Sequence, residues 1–277
     1  MRELCEHAVM CPNSTARLRY TRSVAVALCA ILIAVARTSA ADAAGCLLAE
    51  QGEGRVADII DARSFRLTDG REVRLAGIEP VASGTTGANR GAALSAILAG
   101  RDVILRGEDD TPDRYGRQSA FVYLAPGDTL VQALLLAQGA ALAFPGIGDR
   151  DCAATLMGAE AEARQGKKGT WAEPTAIKNA ESPDDILAGI GRFTVVEGRV
   201  LSVRQAGTTT YLNFGRNWTR DFAVTISRRI LPAFASAGIP LKSLENRRIR
   251  VRGWIEGRPG PRINVLRVGQ IEMLGDN

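Results

Sequence analysis

Residues 73–79 read Val-Arg-Leu-Ala-Gly-Ile-Glu and run into Pro80: an apolar strand pattern that carries one arginine, Arg74, and closes on one carboxylate, Glu79, at a proline. Glu79 therefore has two readings, catalyst or scaffold. A second chemically suggestive pattern lies in the last third, where Tyr211, Phe214, Trp218 and Trp254 are interleaved with Arg216, Arg220, Arg250 and Arg252. Basic strands with interspersed aromatics are what a single-strand-binding surface uses to track phosphates and stack bases. The plainer reading of 247–254 is a solvated strand face, with Ile249, Val251 and Gly253 turned inward. The only histidine is His7, in the leader described below, so the rest of the chain has no imidazole for general base work or metal binding.

The chain has 277 residues, 46% hydrophobic and 5% aromatic, enough for one large or two small domains with proper cores. Arg17, Arg19 and Arg22 precede an apolar run at 23–36 and small residues around 41–43. That order predicts a signal peptide over 1–45 and an exported protein, periplasmic or secreted. The run is shorter than the roughly 20 residues of a spanning helix, so no integral membrane segment is expected after cleavage. Ala43-Ala44-Gly45-Cys46 is a poor lipoprotein box, because its first position normally holds a larger aliphatic residue. Cys46 and Cys152 remain after the leader, too few for zinc and without Cys-x-x-Cys spacing, and in an oxidising compartment they are expected to form one disulfide.

The elements that position these residues follow from periodicity. Strand alternation at 55–60, 64–67 and 72–78, with Asp69-Gly70 as a hairpin turn, predicts a meander. A Gly/Thr-rich loop at 83–87 leads to a helix at 89–98 capped by Gly100; strands follow at 102–106 and 119–124, and helices at 130–138 and 153–164. The Pro, Ser, Asp and Glu-rich stretch after Trp171 predicts a linker at 173–190. Five strand patterns and one helix then suit a small OB-like barrel at 191–277. The fold class expected is α+β, mainly β: a five-stranded OB-type barrel with three helices at 46–172, then a second small barrel. Residues 46–185 hold 15 Lys+Arg against 21 Asp+Glu, and 186–277 hold 15 against 6. An acidic half joined to a basic half points to different partners: nucleic acid or another polyanion, a lipid surface, an acidic protein or the chain's own acidic half.

The meander, the helices and the segment Asp113-Arg114-Tyr115-Gly116-Arg117 together resemble the staphylococcal nuclease family over about 54–171. The resemblance implies metal-assisted phosphodiester hydrolysis: calcium held by aspartates, a glutamate base, and two arginines on the phosphate. Arg74 and Arg117 match the two arginines, either as a phosphate clamp or as structural hydrogen-bonders. Asp61 and Glu79 match remnants of the metal site, but Asp61-Ala62-Arg63-Ser64 puts a cation where a calcium-binding carboxylate belongs. Ala82 matches the base. Of the nucleotide-stacking aromatics only Phe144 remains. The implied reading is a nucleic-acid or polyanion binder with an impaired site, in which Arg63 pairs with Glu79 in place of calcium. The alternatives are an active phosphodiesterase, with Ca2+ only if active, recruiting Asp58, Asp61 or Asp109 and Asp110, and a structural envelope protein that docks on a protein or membrane.

Overall fold

The computed structural model describes residues 46, 48–81 and 91–275. The predicted leader, the 83–87 loop and Ala82 lie outside the described residues.

In the first half, β1 (Ala49–Ile59), β2 (Ser64–Leu67) and β3 (Glu72–Leu75) form the meander, followed by β5 (Asp102–Gly107) and β6 (Arg117–Leu124). The sheet order is β3-β2-β1-β5-β6, and a parallel β3–β6 pairing closes it into a five-stranded barrel. Alternation decides the facing. Phe65, Val73, Leu75, Val103, Leu105, Ala120 and Val122 fill the interior, while Arg74 and Glu72 lie on the outer face. Helices α1 (Ala92–Leu98), α2 (Val131–Ala137) and α3 (Arg150–Gln165) cover the barrel. The Asp149 carboxylate caps α3 by accepting from the Cys152 N–H at 2.7 Å. Gln132, fully buried on α2, donates to the carbonyls of Ala120 at 2.9 Å and Ala76 at 3.3 Å, and accepts from the Val122 N–H. The expected Cys46–Cys152 disulfide is present and ties the segment before β1 to α3.

Three short strands were not predicted: β4 (Ile78–Pro80), β7 (Thr129–Leu130), which pairs with β6, and β8 (Ala141–Ala143), which pairs antiparallel with β4 and sets Glu79 opposite Leu142. Pro80 is the last residue of an edge strand, where its missing N–H costs no ladder bond. Glu79 thus sits inside a strand. Gly77 turns the chain from β3 into β4 with φ +72°, and a Cβ there would meet Leu156 of α3 at 2.5 Å.

The second half repeats this strand plan. β10 (Phe193–Arg199), β11 (Ser202–Ala206), β12 (Thr209–Asn213), β13 (Ala223–Ser227), β14 (Arg248–Gly257) and β15 (Pro261–Val265) run in the order β11-β12-β13-β15-β14-β10. Here β10 and β11 act as two pieces of one first strand, β13–β15 is the parallel pair, and helix α5 (Leu231–Ser236) precedes β14, the fourth strand in the plan, as α1 precedes β5.

The segment expected as a linker, 173–190, is structured. β9 (Ile177–Asn179) adds parallel to β10, and α4 (Pro183–Leu187) packs beside it with Ile186 fully buried. Between the barrels lies a shared core of Leu142, Ala163 and Trp171 with Phe193 and Val195. Residues 44–277 make up one unit. The two halves share buried side chains rather than a free tether.

Candidate functional site

At the mouth of the first barrel the Arg63 guanidinium is ion-paired with the Glu79 carboxylate and also donates to the Ile78 carbonyl at 3.4 Å. Both are largely withdrawn from water, with side chains 17% and 10% exposed. Burial pushes the Glu79 carboxyl above its ordinary value, and the hydrogen bond and charge of Arg63 only partly oppose that. The Arg63 N–H is bonded to Asp61 Oδ1 at 2.8 Å, so one residue holds both remaining carboxylates of the site. Among the described residues no three His, Cys, Asp or Glu side chains gather at one point.

Arg74 projects from the outer face of β3 between Ser64 of β2 and Ser119 of β6. It is half-buried, and among the described residues its side chain makes no ion pair or hydrogen bond. Arg117 starts β6 opposite Glu72 on the same face. Its Nε–H and Nη2–H donate to Asp113 Oδ2 at 3.1 and 2.8 Å, and the Asp113 carboxylate also accepts from the backbone N–H groups of Tyr115 and Arg117. The Arg117 hydrogen bond holds the Asp113 carboxyl below the usual range, and Asp113, with smaller contributions from Asp61 and Tyr115, raises the Arg117 guanidinium. Arg114 and Arg117 lie 4.9 and 5.0 Å from the ring centroid of Tyr115, which is 65% exposed. Two cations therefore flank an exposed aromatic ring at the turn that leads into β6, the strand paired with the one that carries Arg74.

Residues 85–173 match the family model for staphylococcal nuclease homologues. Over that stretch the first barrel is similar to the staphylococcal nuclease homologues. The matched segment contains Arg117, whereas Asp61, Arg63, Arg74 and Glu79 precede it and are joined to it through the β3–β6 ladder. No curated protein matches the chain. The expectation that Phe144 stacks a nucleotide does not fit the nuclease-like barrel: Phe144 packs edge-on against Phe193 of the second barrel, centroids 5.6 Å apart.

Several residues expected to contact nucleic acid are turned inward. Arg252 is fully buried, donating from Nη1 to Glu160 at 2.8 and 2.9 Å and to the Ala143 carbonyl at 3.1 Å, and pairing through Nη2 with Glu272. Arg250 pairs with Glu197 and Glu272, each at 3.0 Å. Arg164 joins them through Glu160 at 3.1 Å. Burial pushes the Glu272 carboxyl up, but Arg252, Arg250 and Arg164 outweigh it and leave the group below its ordinary range. These arginines bind the chain's own acids, so they are unavailable to a ligand. Phe214 is likewise core, 8% exposed against Phe222. Trp254 is 45% exposed but leans edge-on against Phe193. Arg216, Trp218 and Arg220 remain exposed on the β12–β13 loop, with Arg220 near Asp184 at 3.8 Å, and Tyr211 is half-buried on β12.

The sequence reading missed Glu160. The buried positions of α3 are Cys152, Leu156, Glu160 and Ala163, so a carboxylate occupies the apolar stripe. That spacing was readable, and a charge on a core-facing stripe requires a buried partner.

Proposed function

We propose that this is an exported protein that binds nucleic acid or a similar polyanion on its nuclease-like barrel without hydrolysing it. The observation that carries the reading is the Arg63–Glu79 ion pair. A calcium site collects several oxygen ligands. Here the second carboxylate is already neutralised by a guanidinium that would repel a dication, so the residues present do not fit the metal of the family. The sequence places Ala82 where the family has its base, and a missing general base alone removes about 10² to 10⁴ in rate. What remains is recognition. Among the described residues Arg74 has no internal counter-charge, and the exposed Arg114 and Tyr115, on the turn held by the Asp113–Arg117 pair, add a cation and a stacking face to the same barrel. The leader pattern supports export, and the disulfide suits an oxidising compartment.

The test is incubation of the mature chain with single- and double-stranded DNA and with RNA, in calcium and in chelator, alongside anisotropy binding over a salt series. Expected are intact substrates under all conditions and salt-dependent binding that weakens in Arg74→Gln. Calcium-dependent cleavage lost in Arg117→Ala would instead establish the phosphodiesterase.

A further inference from the structure

The two barrels coincide at one position of their shared strand plan. In the nuclease-like barrel the first residue of β3, Glu72, lies opposite Arg117 across the parallel pair. In the second barrel the first residue of β13, Ala223, lies opposite Arg262 across the corresponding parallel pair. Both arginines face outward, since the following Gln118 and Ile263 are buried. Arg262 differs from Arg117 in that no acid among the described residues holds it. Among the described residues its side chain makes no ion pair or hydrogen bond, and its Nε is buried without an acceptor.

Arg262 reaches diagonally across β13 to Tyr211, its guanidinium carbon 5.9 Å from the ring centroid. The strand between them carries only small outward residues, Ala223 and Thr225, each 7% exposed, so the arginine and tyrosine stand above a shallow floor. The outward positions of β11, β12, β13 and β15 include Arg204 and Arg262 and no carboxylate. The acid nearest in register is Glu256, opposite Arg262 on β14, and no ion pair joins them. A partly buried guanidinium without an acceptor has lost hydration with nothing in return. An anion would supply both the missing acceptor and the charge.

We propose that this face is a second nucleic-acid site, for single-stranded DNA or RNA, in which Arg262 receives a backbone phosphate and Tyr211 stacks a base. A single strand rather than a duplex is implied, because stacking on Tyr211 needs an unpaired base face. Trp218, 70% exposed on the loop that joins β12 to β13, lies at the end of this track where Arg262 enters it.

The test uses the full mature chain and a fluorescein-labelled oligothymidylate of about 12 nucleotides, a length within the range one such barrel covers. Tyr211→Leu is expected to weaken binding roughly 5- to 150-fold, the span of one lost stacking contact, while Tyr211→Phe binds as the parent does. Arg262→Gln is expected to weaken binding and to lower the slope of log affinity against log salt by about 1. Because a variant can misfold, the Arg262 Nε–H signal, assigned with Arg262→Lys, is followed by NMR in the unaltered protein; it is expected to move on titration with the oligonucleotide. Binding insensitive to Arg262→Gln and Tyr211→Leu but sensitive to Arg74→Gln, or an Nε–H signal that does not move, overturns this proposal and leaves the first-barrel site standing. Failure of the parent to bind at low salt overturns both.

Discussion

Replacing Arg63 by methionine leaves the Glu79 carboxylate, 8% exposed, without its counter-charge. Breaking a buried pair by removing one partner costs about 3–5 kcal/mol, and the residual exposure of both side chains places this pair at the low end. A ceiling follows from proton linkage. The stranded carboxylate can escape its penalty by taking up a proton, which costs about 1.4 kcal/mol for each pH unit above its unfolded value. With an ordinary value of 4.5, the loss is capped at about 0.7 kcal/mol at pH 5 and about 3.4 kcal/mol at pH 7. The sign is fixed by the direction of the shift. Glu79 is raised in the folded protein, and losing Arg63 raises it further, so between 4.5 and the folded value the native state binds the extra proton and stability falls as pH rises. Urea unfolding with the disulfide intact, at pH 5 and pH 7, reads this directly. Arg63→Met is expected to be near neutral at the lower pH and clearly destabilised at the higher, with most of the loss recovered when Glu79→Gln is added. An equal loss at both pH values, or no recovery in the double variant, would refute the idea that Arg63 acts by neutralising Glu79.

Arg63→Asp exchanges that cation for a carboxylate beside Asp61 and Glu79; a calcium-dependent rise in melting temperature is expected in the variant and not in the parent, and no rise in the variant would count against Arg63 as the group that excludes calcium. Cys152→Ala opens a disulfide whose partners are 106 residues apart; chain entropy for a loop of that length predicts a loss of about 4.7 kcal/mol, measured as a fall in the urea midpoint. Arg252→Met strands the fully buried Glu160 and is expected to cost about 3–5 kcal/mol. Because the barrels share that charge cluster, the parent should unfold in one calorimetric transition, and two separate transitions would refute the shared core.

What could be read in advance followed the local rules. Period-two alternation and the Asp69-Gly70 turn gave the meander, whose strands β1, β2 and β3 pair in that order. The pairing of Arg63 with Glu79 was also legible, through the resemblance that puts both at the family's calcium site. What sequence could not supply was long-range. The β4–β8 pair is two three-residue strands about sixty positions apart, too short for any periodic signal. Arg252 lies 92 positions from Glu160, and on a strand that reads as basic alternation nothing local says that this arginine faces protein. Arg262 was passed over because it lies outside the densest basic run, yet the parallel β13–β15 pairing, which no local pattern encodes, is what sets it beside Tyr211.

The charge asymmetry between the halves then takes a different meaning. A surplus of arginine in 186–277 suggests a broad positive field, but the arginines of β14 are used up on Glu160, Glu197 and Glu272. Paired charges are weak attractors, because a ligand phosphate must displace a carboxylate already in place at hydrogen-bond distance. An arginine matters to a polyanion when it is partly desolvated and has no internal acceptor, since only there does the ligand repair a deficit instead of competing with a bond. By that criterion the count among the described residues shrinks from a field to individual ones: Arg74 on the outer face of the first barrel and Arg262 on the corresponding face of the second. Both stand on the third or fifth strand of their barrels, Arg74 between Ser64 and Ser119, and Arg262 between the small Ala223 on one side and Glu256, with which it makes no ion pair, on the other. On the reading proposed above, net charge would draw a polyanion near, and these two guanidinium groups, unpaired among the described residues, would decide where it stays.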